Sequence, residues 1–215
     1  MEDTVKPKTK NAVREDMTAT LTGAQELRHR ARKHVDDGAV TAAYTLDPRV
    51  VCGLLNRALA TELVCVLRYR RHHFMAGGLS SDPVAAEFLA HSNEEQGHAD
   101  QLAARIVQLG GEPDFSPAGL ATRSHAEYVE GRTLQEMVHE DLVGERIAIE
   151  SYTELIAILG AKDPTTRRML EEILAKEEEH ADDLSSLLRG WRPGMSPQSA
   201  MSTPRPPVGT PVTLP

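Results

Sequence analysis

The segment HSNEEQGHADQL, residues 91–102, places a glutamate and a histidine three positions apart, and the segment EEEHADDL later in the chain repeats that spacing. The two pairs are Glu95 with His98 and Glu177 with His180. Residues i and i+3 of an α-helix share one face, so each pair presents a carboxylate beside an imidazole. Such groups are ligands for Fe(II), Mn(II) or Zn(II). The repeat therefore indicates a metal site.

Two more acidic residues, Glu62 and Glu145, lie at inward positions of other predicted helices. Apolar residues recur every three or four positions in four segments of the chain, which is the spacing of a buried helix face. Glu62 falls on that face of the first segment and Glu145 on that of the third. Tyr69 and Tyr152 follow these two acids at the same distance along the chain. Each of the four helices is thus predicted to direct a carboxylate into the core.

Four carboxylates in an apolar core require a positive charge, because an unpaired buried charge costs several kcal/mol. Apart from positions whose side chains can extend outward to solvent, no Lys or Arg lies at the inward positions near these acids, so we expect a metal to supply it. Four carboxylates with two imidazoles are the ligand set of di-metal sites in helical bundles. The near-repeat of the two halves predicts two adjacent metal positions. His73 and His91 also fall on inward faces, and we expect them to be satisfied core histidines.

Start and stop signals bracket four helices of about 25 to 30 residues. Asp-Pro pairs at 47–48, 82–83 and 163–164 mark three helix starts, and the third helix in order runs from about Thr133 to Leu159. Short links join helices one and two and helices three and four. Roughly 20 residues rich in Gly, Pro and Ser join helices two and three, enough to cross a bundle. The sequence predicts an all-α four-helix bundle with one long crossover between helices two and three.

The segments outside the bundle differ from it in composition. We expect residues 1–46 to form a polar N-terminal arm with a short helix, 47–190 the bundle, and 191–215 a disordered Pro-rich tail. The formal net charge of −8 argues against nucleic-acid binding by the bundle itself. The sequence shows neither a long apolar membrane span nor a secretory signal, so we expect a cytoplasmic protein without a membrane partner.

From about residue 48 to 189 the chain resembles the ferritin-like superfamily, and its motif set resembles that of bacterioferritins and bacterioferritin-like (Dps-like) mini-ferritins. The resemblance implies a di-iron centre in which two glutamates bridge the irons and each iron also binds one glutamate and one histidine. One iron would be held by Glu62 and His98 and the other by Glu145 and His180, with Glu95 and Glu177 as bridges. Tyr69 resembles the tyrosine beside the family's site, and we count it with these six as catalytic.

The resemblance implies a ferroxidase that oxidises Fe(II) with O2 or H2O2 and deposits ferric mineral inside a homo-oligomeric shell. Mn or Zn would also suit the ligands. Haem is not expected, because bacterioferritins bind it through a methionine directly after the second-helix glutamate, where this chain has Gln96. A Pro-rich tail replaces the fifth helix, which weakens the case for 24 subunits and leaves a shell of 12 open.

Two other classes of function stay open. A manganese catalase or a rubrerythrin-like peroxidase would use similar carboxylates, although rubrerythrins normally add a Cys-rich module and this chain has no CxxC pair. A DNA-protecting protein of the Dps type would hold phosphates with a basic arm. The basic residues of the arm are Lys6, Lys8, Lys10, Arg28, Arg30, Arg32 and Lys33. Nearby acids dilute this charge, so DNA is only a secondary candidate partner.

Overall fold

The computed structural model describes residues 21–77 and 81–191 of the chain. By internal contacts the chain divides into two compact units, residues 1–45 and 46–215. The predicted Pro-rich tail lies outside the described residues apart from Trp191, as do the first twenty residues of the predicted arm.

The first unit contains a short helix, α1, at Ala24–Arg30, and a single 3-10 turn at Val35–Asp37. None of the residues in these two elements is buried. Arg28 and Arg30 lie in the last turn of α1, where positive side chains interact favourably with the carbonyl end of a helix. This unit therefore presents charged side chains to solvent.

Four long helices form the second unit: α2 (Pro48–Met75), α3 (Asp82–Gln108), α5 (Leu134–Leu159) and α6 (Pro164–Gly190), with a single-turn helix, α4 (Leu120–Arg123), in the crossover. Helix α2 packs mainly against α3, and α5 packs mainly against α6; α2 also contacts α5, and α3 contacts α6. No strand occurs in the part of the chain that the structure describes. The prediction of an all-α bundle is confirmed, whereas α4 was not predicted.

The helices begin where the sequence places their start signals, with one difference. The side chains of Asp47 and Asp163 each accept a hydrogen bond from a backbone N–H of the first turn, and Thr133 forms a capping box. In α3 the residue before the helix is Ser81, and Asp82 is already helical. The Asp82 carboxylate therefore stabilises the helix through the positive end of its dipole rather than as its cap.

The long connection between α3 and α5 runs along α2 in the same direction as that helix. Polar side chains of α2 bind its backbone groups at four successive levels: Asn56 with Glu112 and Asp114, Thr61 with His125, Arg68 with Glu127, and His72 with Glu130. These contacts satisfy backbone groups that would otherwise be left without partners beside the helix. The crossover is therefore fixed to the bundle along most of α2.

Helix α2 contains an 18-residue window apolar enough to pass for a membrane span, although the sequence analysis found no such run. Within the bundle 56% of that window is buried. The same helix carries Glu62 and Arg68 on its buried side. Its composition is that of a core helix packed against neighbours on several sides.

Two arginines are buried in the bundle, contrary to the expectation that no cationic side chain lies near the core acids. Arg68 donates to Asp141 Oδ1 at 2.8 Å and to the Glu127 carbonyl at 2.8 Å. Arg105 donates to Asp163 at 3.0 Å. A buried guanidinium group needs a carboxylate partner, and each arginine has one of its own. Neither forms a hydrogen bond with the predicted metal ligands.

His72, and not His73, is the fully buried histidine at the end of α2. Its ring nitrogens lie 2.8 Å from Asp141 Oδ2 and 2.9 Å from the Glu130 carbonyl. His73 is only half-buried and contacts the Ala85 carbonyl at 2.7 Å. The inward face of α2 therefore shifts by one position at this end, because Asp141 attracts both Arg68 and His72.

Candidate metal centre

The six predicted ligands lie together at the centre of the bundle. They come from all four long helices: Glu62 from α2, Glu95 and His98 from α3, Glu145 from α5, and Glu177 and His180 from α6. Each is 5% exposed or less. The inward positions read from the helical periodicity thus meet in a single buried cluster.

The cluster divides into two overlapping sets of potential ligands. One set is Glu62, Glu95, His98 and Glu177, and the other is Glu95, Glu145, Glu177 and His180. The ligand atoms of each set lie within 4.8 Å of one another. Two glutamates are common to both sets, which is the arrangement that a pair of bridged metal ions requires.

The distances between ligand atoms suit first-row transition metals. Nδ1 of His98 lies 2.9 Å from Glu177 Oε1 and 3.5 Å from oxygens of both Glu62 and Glu95. Nδ1 of His180 lies 3.3 Å from Glu95, 3.6 Å from Glu177 and 3.9 Å from Glu145. Two ligand atoms bound at about 2.0 to 2.2 Å to a tetrahedral ion are about 3.3 to 3.6 Å apart. Four of these six distances fall close to this range, whereas those between His98 and Glu177 and between His180 and Glu145 lie outside it.

Seven buried atoms of these six side chains have no hydrogen-bond partner: Glu62 Oε2, Glu95 Oε1, His98 Nδ1, Glu145 Oε2, both oxygens of Glu177, and His180 Nδ1. Only one other buried side-chain atom of the described residues shares this condition, Nε of Arg123. Buried polar atoms without partners are costly, and a metal ion satisfies such lone pairs directly. The donor set and its unsatisfied atoms therefore fit a pair of divalent ions.

Two tyrosines hold the outer oxygens of two of these glutamates. Tyr69 of α2 donates a short hydrogen bond to Glu145 of α5, and Tyr152 of α5 donates one to Glu62 of α2. The two contacts are reciprocal, as the approximate two-fold relation of the helix pairs requires. Each leaves the second oxygen of its glutamate among the atoms without a hydrogen-bond partner.

One histidine has a carboxylate on its outer side. Nε2 of His180 lies 2.6 Å from Oε2 of Glu94, a half-exposed residue. Hydrogen bonds of this kind fix the ring of a metal-binding histidine and leave the other nitrogen to bind the ion. Among the described residues, Nε2 of His98 has no such partner. The two halves of the centre therefore differ in this contact.

The charges of the cluster are strongly coupled in the metal-free protein. Burial, and then the charge of Glu95, raises the pKa of Glu62 and of Glu145 well above the usual value. Burial lowers the pKa of His98 and His180, but the close negative charge of the neighbouring carboxylates outweighs it and raises their pKa values to about 12 and about 10. The metal-free cluster therefore retains protons at neutral pH, and a cation would replace them.

This geometry defines a four-helix bundle with a buried carboxylate and histidine centre, and comparison with known proteins assigns its family. A sequence model of the ferritin-like domain matches residues 52–192. The chain therefore belongs to the ferritin-like family, which confirms the resemblance drawn from its motifs.

Relatives within the family are similar over most of the chain. A bacterioferritin from Mycobacterium bovis is 32% identical over 164 residues, covering 75% of this chain and 98% of the relative. A nutrient stress-induced DNA-binding protein from Synechococcus is 31% identical over 141 residues, covering 64% of this chain and 80% of the relative. The solved structure of a dodecameric thioferritin, the bacterioferritin-related protein of Bacteroides fragilis, is 31% identical with a TM-score of 0.62, covering 65% of this chain and 84% of that one.

Sequence reasoning missed two residues that contact the centre. Glu94 lies at an exposed position of α3, yet its carboxylate contacts Nε2 of His180. His91 is buried with partners at both ring nitrogens, as expected of a core histidine, and its ring also stacks on that of His180, with centroids 4.1 Å apart. The spacing along the chain indicates the position of His91, because Glu87, His91 and Glu95 follow one another at intervals of four and so share one face of α3.

Proposed function

We propose that this protein is an iron-storage and detoxification protein whose centre is a ferroxidase, oxidising Fe(II) with O2 or H2O2. The observation that carries the proposal is the set of seven buried ligand atoms without hydrogen-bond partners, all in the six residues of the cluster. Membership of the ferritin-like family and similarity to bacterioferritin support the same function.

The six residues would bind two Fe(II) ions side by side. Glu62 and His98 would hold one ion, Glu145 and His180 the other, and Glu95 and Glu177 would contact both. Each Fe(II) gives up one electron, so the pair supplies the two electrons that reduce O2 to H2O2 or H2O2 to water. The carboxylates lower the net charge of the bound pair and so stabilise the ferric product over the ferrous substrate.

Tyr69 and Tyr152 act as positioning residues, because they contact ligands rather than substrate. Each hydroxyl group fixes one oxygen of a glutamate and directs the other toward the centre. We assign Tyr69 this role, although the resemblance placed it among the catalytic residues. His98 and His180 lose protons when they bind Fe(II), and Glu94 is placed to hold the remaining ring proton of His180.

We propose that the protein stores ferric mineral in a homo-oligomeric shell of 12 or 24 subunits in the cytoplasm. The related protein of Bacteroides fragilis is described as dodecameric, and this chain covers 84% of it. A shell supplies the enclosed volume that a mineral needs, which a single bundle lacks.

The test is anaerobic loading of the metal-free protein with Fe(II), followed by O2 or H2O2, with ferric absorbance and particle size measured at increasing iron. We expect fast oxidation that saturates at two irons per subunit, then slower uptake into a soluble particle. A Glu62→Gln and Glu145→Gln double variant should lose the fast phase, whereas Glu178→Gln, on the exposed face of α6, should retain it. Equal fast phases in all three proteins would contradict the proposal.

The alternative function that would use the same carboxylate and histidine ligands is that of a different di-metal enzyme. If the protein binds two metal ions but takes up no further iron, we expect a manganese catalase or a rubrerythrin-like peroxidase. Loading with Mn(II) and measuring O2 release from H2O2 separates the catalase from the storage protein.

DNA protection is favoured by one observation, the similarity to a protein named for DNA binding. Of the basic residues of α1, Arg28 is exposed and Arg30 is partly exposed, so both could contact phosphates. DNA retardation that weakens steeply with salt and disappears on removal of residues 1–35 would support this role. Retention of DNA binding after that deletion would exclude the arm as its source.

A further inference from the structure

A buried ion pair lies one helical turn from Glu145, outside the set of metal ligands. Oδ1 of Asp141 in α5 accepts a hydrogen bond from Nε of Arg68 at 2.8 Å, and its Oδ2 lies 2.8 Å from Nδ1 of His72. The three side chains are 2% exposed or less. Because Arg68 and His72 are four residues apart on α2, the carboxylate of Asp141 joins α5 to two successive turns of α2. We call these three residues the Asp141 network.

The Asp141 network is in register with the hydrogen bond between Tyr69 and Glu145. Arg68 precedes Tyr69 in α2, and Asp141 lies four residues before Glu145 in α5. Residues four apart share one face of a helix, so Asp141 and Glu145 face α2 together. Two adjacent residues of α2 thus hold the two ends of one turn of α5. A shift of α5 along α2 that displaced Glu145 would also break a buried ion pair.

Gly144 allows Arg68 to lie directly against the backbone of α5. A Cβ atom at Gly144 would be 1.8 Å from Nη2 of Arg68, so this position admits no side chain while the guanidinium group stays in place. Gly144 is the residue before Glu145, and Nη1 of Arg68 also donates to the Glu127 carbonyl of the crossover at 2.8 Å. The guanidinium group therefore lies against the segment of α5 that carries a metal ligand.

The other half of the centre has uncharged residues at the positions of the Asp141 network. Helices α2 and α5 correspond at a constant offset along the chain, which relates Glu62 to Glu145 and Tyr69 to Tyr152. The same offset relates Arg68, His72 and Asp141 to Ser151, Leu155 and Ala58. Ser151 donates to a carbonyl of its own helix, and the other two are buried apolar residues. These three positions thus provide no ion pair beside the contact between Tyr152 and Glu62.

The two halves therefore differ in how firmly their glutamates are positioned. Apolar packing is non-directional, whereas a buried network of hydrogen-bonded charges fixes one arrangement and is costly to break. Glu145 is held through α5 by the Asp141 network, and His180 in the same half has the Glu94 carboxylate behind it at 2.6 Å. A ligand that is already in place loses less freedom on binding, so it binds a metal ion more tightly.

We propose that Arg68 is a positioning residue that preforms the metal position of Glu145 and His180. Arg68 acts through Asp141 and His72 and touches no metal ion itself. The preformed position fills first, and the other position fills second and exchanges its ion more readily. This order requires only that the cluster bind two metal ions. Its use in oxidation rests on the proposed ferroxidase function, in which the first Fe(II) is held until a second completes the pair of electrons.

The test is the order in which Zn(II) fills the two positions of the full-length metal-free protein. Zn(II) has no redox chemistry and accepts the same ligands. Anomalous diffraction at the zinc edge, from crystals loaded with one or with two Zn(II) per chain, measures the occupancy of each position. Calorimetric titration measures the first dissociation constant. The half-loaded wild type tests the order without any substitution.

The test variant carries Arg68→Met and Asp141→Asn, which removes both charges of the ion pair together and leaves no unpaired buried charge. Asparagine still offers an oxygen to Nδ1 of His72. The control carries Arg105→Met and Asp163→Asn, because that ion pair is also buried and joins α3 to the start of α6. Asparagine is a good N-cap, so α6 keeps its first turn in the control.

We expect the half-loaded wild type and control to hold about 10- to 100-fold more Zn(II) at the position of Glu145 and His180 than at the other. This ratio should fall about 10-fold in the test variant, and its first dissociation constant should rise by a similar factor. A purely structural ion pair would lower the stability of both variants alike and leave the ratio unchanged.

Equal occupancy of the two positions in the half-loaded wild type would overturn the positioning role. The same ratio in the test variant as in the wild type would also overturn it. Both of these outcomes leave the di-metal centre itself in place. Absence of bound Zn(II) from all three proteins would instead overturn the centre and the positioning role together, so the two failures are distinguishable.

Discussion

Nε2 of His180 lies 2.6 Å from Oε2 of Glu94, so one of the two histidines of the centre has a carboxylate on its outer side. The approximate two-fold relation between the helix pairs places Lys176 of α6 at the position that corresponds to Glu94 of α3. Lys176 cannot accept a proton from His98, and its ammonium group instead contacts Glu179 at 2.7 Å. The two metal positions are therefore chemically unequal.

This inequality predicts that Glu94→Ala weakens binding at one position more than at the other. Loss of a hydrogen-bond partner behind a metal-binding histidine lowers metal affinity by about 10- to 100-fold. We expect one of the two Zn(II) ions of the di-metal centre to bind about 10- to 100-fold more weakly, measured by calorimetric titration. Glu94→Gln should restore most of it, because its amide oxygen still accepts from Nε2, and Glu178→Ala should have no effect. An equal loss for both ions would contradict the asymmetry.

The coupled charges predict that metal binding releases protons and strengthens as pH rises. The raised pKa values of Glu62 and Glu145, and those of about 12 for His98 and about 10 for His180, mean that the metal-free cluster holds protons at neutral pH. A metal ion must displace them, so raising the pH removes its competitor. Titrating Zn(II) in buffers of different ionisation enthalpy measures the proton release. Zero release between pH 6 and pH 8 would show that the cluster is already deprotonated.

The cost of the centre predicts that Glu62→Gln stabilises the metal-free protein. A glutamate whose folded-state pKa is raised favours folding only at low pH, and this contribution is lost as pH rises through the folded pKa. Glutamine keeps an acceptor for Tyr152 without the buried acid. We expect the free energy of unfolding at neutral pH to rise by about 1 to 3 kcal/mol, measured by urea denaturation. Zn(II) should stabilise the variant less than it stabilises the wild type, because one ligand is lost. A metal-free variant that is less stable than the metal-free wild type would contradict the prediction.

The sequence predicts the long helices and the inward position of all six glutamates and histidines, because helical periodicity and Asp-Pro or glycine boundaries are local properties of the chain. It does not predict the burial of Arg68 or Asp141. Each looks like a surface residue on its own, and only the packing of α2 against α5 brings them to 2.8 Å. For the same reason the sequence indicates His73 rather than His72 as the inward histidine, because the partners of His72 lie in α5 and in the crossover.

The contact between Arg68 and Gly144 predicts opposite effects for two glycine substitutions in the bundle. A Cβ atom at Gly144 would lie 1.8 Å from Nη2 and 2.7 Å from Cζ of Arg68, whose guanidinium group is fixed by Asp141. A Cβ atom added at Gly97, also within a helix, would lie within 4 Å of no atom beyond the helix's own backbone and the neighbouring residues. Gly144→Ala should therefore displace a buried cation from its partner, whereas Gly97→Ala should only favour the helix.

We expect Gly144→Ala to lower the free energy of unfolding by about 3 to 5 kcal/mol, the usual cost of breaking a buried ion pair. Gly97→Ala should raise it by up to about 1 kcal/mol. Urea denaturation of both metal-free proteins checks the signs. Because Gly144 precedes Glu145, Zn(II) binding should also weaken in Gly144→Ala. A Gly144→Ala protein as stable as the wild type would mean that Arg68 can move without loss and that its pairing with Asp141 does not hold α2 and α5 together.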